Sequence, residues 1–463
     1  MAETIAPSLD MTLDAQDAFD PKTFAARERT DFTRTNALRD RVHDVIPGGA
    51  HTAAKGDDQF PILAPGFIAR GRGSHVWDCD GNEYIEYGMG CRAVTLGHAF
   101  EPVVEAVRRE LDLGCNFGRP APIELECAEA LLEMVPGDMC KFAKDGSAIT
   151  TAAIKLARAH TGRDRVVLCA DQPFFSVHDW FIGTTAIDAG IPQAVKDLTS
   201  TFHYNDIESL RAVFDRHPGE VAAVILEPAK YEDPEDGFLV HVRDLCHENG
   251  AVFILDEMIT GFRWANGGGQ EYYDIEADLS CYGKALGNGF AVSALAGKRE
   301  IMELGGLRDE RERVFLLSTT HGAETHALAA AIATMRVYRD EPVIETLRAR
   351  GQRLKDGLNT VIDRHGLSDF VQVIGPPQCM VLGHLDAEKK PSQAMRTLMI
   401  QEQIRHGIIA PSLVTSYSHS EADIDATVEA MDHALVVYGR ALEDGPEKHL
   451  VGRPSKVVYR KFN

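Results

Sequence analysis

From about residue 141 the chain alternates between short apolar runs and stretches with helical spacing, and few folds can absorb that rhythm. The runs are RVVLCAD (165–171), VAAVILEPA (221–229), AVFILDEMITG (251–261) and AVSALAG (291–297). A strand apolar at nearly every position needs cover on both faces, as buried parallel sheets provide. Between them lie TTAAIKLARAHTG (150–162), DIESLRAVFDRHPG (206–219) and VRDLCHENG (242–250), whose spacing suits crossover helices. The alternation predicts an α/β fold with a doubly wound, mostly parallel sheet. Upstream, CDGN (79–82) splits FIARGRGSHVWDCDGNEYIEY (67–87) into a hairpin pattern. Downstream, a long helical tract (327–366) leads into a further α+β region.

A chain of 463 residues suffices for two or three lobes around a large core. Its net charge of -22 would repel nucleic-acid phosphates, so no nucleic-acid partner is expected. No run of about 18 apolar residues is present, so no membrane span is expected. Residues 1–20 (MAETIAPSLDMTLDAQDAFD) are acidic and rich in small residues, and read as loose chain. They lack the basic start and apolar centre of a signal peptide. The nine cysteines are scattered without a CxxC pair, the pattern of a reduced cytoplasmic protein.

In SCYGKALGNGF (280–290) the only charge is Lys284, set among small and apolar residues. An amine short of water loses basicity and becomes a nucleophile toward carbonyls. In AVFILDEM, Asp256 follows five apolar strand residues and therefore belongs at the mouth of a ligand cleft, beyond the strand's carboxyl end. In FAKDGSAITTAAIKLARAHTG (142–162), Gly146 and Ser147 open a helix, whose free N–H groups and dipole suit a phosphate. An amine, a carboxylate and a phosphate cradle together fit pyridoxal 5'-phosphate, which needs a lysine partner, an acid at its ring nitrogen and a phosphate clamp.

With these pieces in view, the chain resembles the class-III aminotransferases of the fold type I pyridoxal-phosphate superfamily. It is most similar to glutamate-1-semialdehyde 2,1-aminomutase and its relatives. The likeness runs from IPGGAH (46–51) to HSEADIDATVEAMDHAL (419–435), through VWDCDGNEYIEY, LGHAFEPVVEAV, KLARAHTGR, LDEMITGFR and YGKALGNG. It implies a large domain with the doubly wound sheet plus a smaller α+β domain from the N- and C-terminal segments. The expected division is an N-terminal segment and part of the small domain at 1–95, a large cofactor-binding domain at 96–335, and the C-terminal small domain at 336–463.

The resemblance also assigns residues. Lys284 matches the Schiff-base lysine, Asp256 the partner of the pyridinium nitrogen, and Met258 the apolar residue under the ring. Glu227 in VILEPA matches a glutamate near the cofactor's phenolic oxygen and the substrate. Gly146 and Ser147 match the phosphate turn. Phe174 in QPFFSVHDW matches the ring-stacking aromatic, with Phe175 where histidine is usual. Thr320 resembles the threonine that reaches the phosphate of the neighbouring subunit, which implies a homodimer with active sites at the interface. The implied reaction moves an amino group between a small-molecule amine or amino-acid donor and a keto or aldehyde acceptor. The alternative is the intramolecular transfer of the aminomutase.

Several segments depart from the family pattern. The phosphate turn reads KDGS where Asn-Ser-Gly-Thr is common, so either the Asp145 carboxylate points away, or it caps the following helix, or the site is tuned differently. APSLVTSYSHSEADID is shorter than the aminomutase's corresponding segment and lacks its glutamate, and GGAHTAAKG lacks its Asn-Ser-Pro. Arg263 reads equally as a substrate-carboxylate or a structural arginine. His321 and Glu324 read equally as cleft-lining or loop residues. His241, Cys246 and His247 share one helix, with a spacing that suits no standard metal site.

Overall fold

The computed structural model describes residues 19–463, so the loose segment expected at 1–20 lies almost wholly outside them. Thirteen strands are defined among these residues. They are β1 (Ile68–Arg72), β2 (His75–Asp78), β3 (Glu83–Glu86), β4 (Met139–Ala143), β5 (Arg165–Cys169), β6 (Thr199–Phe202) and β7 (Val221–Leu226). The remainder are β8 (Val252–Asp256), β9 (Leu279–Tyr282), β10 (Ser293–Gly297), β11 (Val371–Ile374), β12 (Val381–His384) and β13 (Ile408–Ile409).

The alternating segment builds a seven-stranded sheet in the order β4-β10-β9-β8-β7-β5-β6. Strands β5 to β9 pair in parallel. Both faces are covered. Helix Gly146–Thr161 packs Ile149, Ala153 and Leu156 against one face, and helices Ile207–Arg216 and Phe238–Glu248 pack Leu210, Val242 and Leu245 against the other. One expectation is corrected. AVSALAG reads as a parallel strand, but β10 runs antiparallel to both β9 and β4. Only residues 283–292 separate β9 from β10, too few for the helical crossover that parallel strands need.

A second sheet, ordered β1-β2-β3-β13, joins the two ends of the chain: Ile408 pairs with Ile85 in parallel. The CDGN hairpin forms because Asp78 serves it whole. Its carboxylate accepts from the backbone of Asp80 and Asn82 at 2.9 and 2.8 Å and from the Tyr84 hydroxyl at 2.8 Å, while Gly81 takes a φ of 84°. Phe24, Ile85 and Tyr87 share one core with Leu354, Leu358, Met431 and Leu435, so the N- and C-terminal segments form the smaller α+β unit together.

A buried ion pair fastens this unit. His75 Nε2 meets Asp423 Oδ1 at 2.9 Å, and His75 Nδ1 meets Glu83 Oε1 at 2.9 Å. Burial lowers the imidazole's basicity, but the two carboxylates outweigh it and raise the pKa to about 9. A folded-state pKa above the unfolded value stabilises fully below the unfolded pKa of 6.5 and loses that contribution as pH rises through about 9. The contribution is on the order of 3 kcal/mol. His75→Gln should therefore lower the thermal midpoint clearly at pH 6 and much less at pH 9.5, in melts recorded across that range. An equal loss at both pH values would remove the charge from the explanation.

Candidate active site

The sheet brings the candidate residues to one edge. In β7 and β8 Leu226 pairs with Leu255, so Glu227 and Asp256 follow at the same level. Asp256 in turn pairs with Cys281 of β9, three residues before Lys284. Glu227, Asp256 and Lys284 thus leave the carboxyl ends of three neighbouring strands. Strand β4 runs in the same direction, because β10 is antiparallel to both its neighbours. Its end delivers the start of helix Gly146–Thr161 to that same edge.

Asp256 is buried, and its Oδ1 accepts from the Met258 backbone N–H at 3.0 Å. Burial, then repulsion from Glu227, pushes its pKa up, while Lys284 pulls it down. Glu227 is held through its backbone: its N–H donates to Gln172 Oε1 at 2.7 Å, and Gln172 Nε2 donates to its carbonyl at 2.8 Å. Its Oε1 takes a 2.7 Å bond from Lys230 Nζ, and its buried Oε2 has no partner among the described residues. Lys284 keeps partial exposure between buried neighbours, so its side chain is the part of that turn that reaches the cleft. Burial pushes its amine below the usual lysine range, against the pull of Asp256 and Glu227. Its backbone takes a φ of 42°, a left-handed conformation that side-chain-bearing residues adopt at a cost of roughly 1 kcal/mol.

The start of helix Gly146–Thr161 resolves the question posed by Asp145. Its side chain caps the helix by accepting from the Ala148 N–H at 2.9 Å, which turns the anion away from the helix mouth. Ser147 Oγ accepts from the Val177 N–H at 3.0 Å, leaving its own hydroxyl proton to donate. Lys144, just before the turn, pairs with Glu324, which also holds His321 Nδ1 at 2.9 Å. His321 and Glu324 thereby join the loop before helix Thr325–Asp340 to the segment just before helix Gly146–Thr161.

Met258 ties the turn to the lysine. A Cβ at Gly146 would come within 2.8 Å of Met258 Sδ, and a Cβ at Gly283 within 2.6 Å of that sulfur and 2.7 Å of Ser293 Oγ. Gly283 has an extended φ of -179°, so space rather than backbone freedom demands glycine there. Gly283→Ala should cost about 1–3 kcal/mol through overpacking and weaken cofactor retention. Thermal melts of the loaded and stripped protein check this; unchanged retention would contradict it.

Around this centre, Phe174 is 44% exposed with its ring edge-on to Phe181 at 5.6 Å, whereas Phe175 is buried. Thr320 is exposed, and its carbonyl accepts from Asn116 Nδ2 at 3.0 Å. Arg263 is fully buried and donates to the Ile259 and Arg92 carbonyls at 3.1 and 2.6 Å, a structural arrangement. His247 bonds Asp278 at 3.1 Å, and Cys246 is buried in the core behind it. Lys230, Arg92 and Lys144 escape the sequence reading. The signal for Lys230 was present: EPAK sets a lysine three residues from Glu227, among apolar neighbours.

The residues present fit pyridoxal phosphate. The helix mouth offers N–H groups and the Ser147 hydroxyl, the Met258 sulfur lies against both Gly146 and Gly283, and Asp256 and Lys284 act on each other across the strand ends. Among the described residues no helix is long and apolar enough to cross a membrane. Residues 53–435 match the family Aminotransferase class-III. Glutamate-1-semialdehyde 2,1-aminomutase of Acetivibrio thermocellus is 33% identical over 422 residues, covering 86% of this chain and 96% of the relative. The PLP internal aldimine form of the FumI protein of Sphingopyxis sp. MTA144 superposes with a TM-score of 0.82 at 31% identity, covering 91% of this chain and 99% of that one. An omega-transaminase from Sphaerobacter thermophilus gives a TM-score of 0.77 at 28% identity, covering 89% and 97%. The chain belongs to the class-III aminotransferases.

Proposed function

We propose that the protein is a pyridoxal-phosphate-dependent aminotransferase, which moves an amino group from an amine or amino-acid donor to a keto or aldehyde acceptor. The observation that carries this reading is the meeting of Lys284, Asp256 and Glu227 at adjacent strand ends, beside the mouth of helix Gly146–Thr161. When bound, pyridoxal phosphate supplies an electron sink for the carbon that bears the amine. Gly146, Ser147 and the helix N-terminus would hold its phosphate. Met258 and Phe174 would enclose its ring, and Asp256 would keep the ring nitrogen protonated.

Lys284 Nζ would hold the cofactor covalently until an incoming amine displaces it. The freed amine, its basicity lowered by burial, would then be the base that takes and holds the proton of the substrate carbon. Glu227, oriented by Gln172 and neutralised by Lys230, would face the phenolic oxygen.

The protein works, in this reading, as a cytoplasmic homodimer. All nine cysteines are unpaired. Thr320 would reach the neighbouring subunit's phosphate. In support, the Thr320 carbonyl accepts from Asn116, whose own segment carries the exposed apolar side chains of Leu113 (72%) and Phe117 (52%).

Intramolecular transfer is a second reading, favoured by the 33% identity to an aminomutase. One experiment separates the two. The loaded protein is given single amines and amino acids with no acceptor, and products are read by mass spectrometry. An aminotransferase releases one equivalent of carbonyl product and retains the nitrogen. An aminomutase isomerises glutamate-1-semialdehyde with no second partner. Neither product with any donor would refute amino transfer.

A further inference from the structure

Residues 89–92 form a left-handed turn. Met89, Gly90, Cys91 and Arg92 have φ values of 42, 58, 60 and 71°, and only one of them is glycine. Such a run persists only where its surroundings over-determine it. Here Arg263, fully buried, holds the Arg92 carbonyl at 2.6 Å, and the turn packs against the Lys284–Gly287 turn. The strained backbone therefore sets one side chain, Arg92, beside the turn that carries Lys284. There its guanidinium adjoins Cys379, which shares an apolar cluster with Ala229 and Val414, beside Lys230. Burial works against the Arg92 charge, while Cys379, Tyr231 and Glu227 sustain it.

The local charges are unequal. Lys284, Lys230 and Arg92 face Glu227 and Asp256. Lys230 is matched to Glu227 at 2.7 Å. Asp256 serves the ring nitrogen, and Lys284 is taken up by the covalent link. Among the described residues Arg92 makes no ion pair, and its buried Nε has no hydrogen-bond partner. A guanidinium so placed matches a carboxylate, with which it can form paired charge-assisted bonds.

We propose that Arg92 is the specificity-determining residue that receives the carboxylate of an amino-acid donor or keto-acid acceptor, and that Arg263 is the positioning residue that fixes its turn. This rests on the cofactor reading above, and the test keeps the two apart.

Aminooxyacetate and O-methylhydroxylamine both capture the Lys284-bound cofactor whatever the natural substrate is. The aminooxy nitrogen bonds to the carbon that holds Lys284 Nζ, and the lysine leaves as a free amine with both protons of that nitrogen. Only aminooxyacetate bears a carboxylate. The rate of loss of the near-visible band is measured for each reagent in the holoenzyme. Arg92→Gln should slow capture by aminooxyacetate about 30-fold, the scale of a lost bond to a charged group. It should leave O-methylhydroxylamine within about twofold, and Arg92→Lys should recover part of the loss. Equal effects on both reagents, or no effect on either, would overturn the role of Arg92. A wild-type protein with no band and no capture would instead overturn the cofactor reading.

Discussion

Lys284→Ala is expected to abolish the near-visible absorbance of the loaded protein and to cut turnover by about six orders of magnitude, the scale for loss of a covalent nucleophile. Two measurements check this: the spectrum, and borohydride reduction followed by peptide mass analysis. The reduced adduct should map to Lys284 in the wild type and vanish in the variant. The effect should be this large because no other amine can take over. Lys230 is another lysine nearby and is buried, but it is held at 2.7 Å by Glu227 on a different strand end. An adduct that shifted to Lys230 would show that the two amines are interchangeable, contrary to the geometry.

Asp256→Asn ranks second. The amide keeps the shape and can still accept from the Met258 N–H, but it cannot hold a ring nitrogen protonated. Breaking a buried charge pair by removing one partner costs about 3–5 kcal/mol, which corresponds to a rate loss of about 10²–10⁴-fold in the first half-reaction. Because Lys284 is untouched, the covalent band should remain. The variant should be coloured and slow, where Lys284→Ala is colourless and dead. Stopped-flow absorbance with a single donor separates the cases. A rate within tenfold of the wild type would remove Asp256 from the proposed role.

How much of this was legible in the sequence differs by element. Strands β5, β7 and β8 were readable because wholly apolar runs have one comfortable home, the centre of a covered sheet. Strands β4 (MCKFA) and β6 (TSTF) were not, because they are the sheet's two outer strands and carry polar residues there. The direction of β10 was misread because composition reports burial, whereas direction depends on the length of the connection before it. At the site, Lys284 and Asp256 were visible as charges stranded among apolar residues. Arg92 was invisible because its placement depends on a left-handed turn and on Arg263, 171 residues away. Asp145 looked like a conflict at an anion site because its side chain's direction, toward Ala148, is a three-dimensional fact.

The short antiparallel return from β9 to β10 has a further consequence. The turn that carries Lys284 is anchored on both sides by strands, and β9 is locked to β8 with Asp256 opposite Cys281. A slip of one residue would send each β9 side chain to the opposite face and carry the lysine out of step with its acid. Correct registration of β9 during folding is therefore a precondition for bringing Lys284 and Asp256 together.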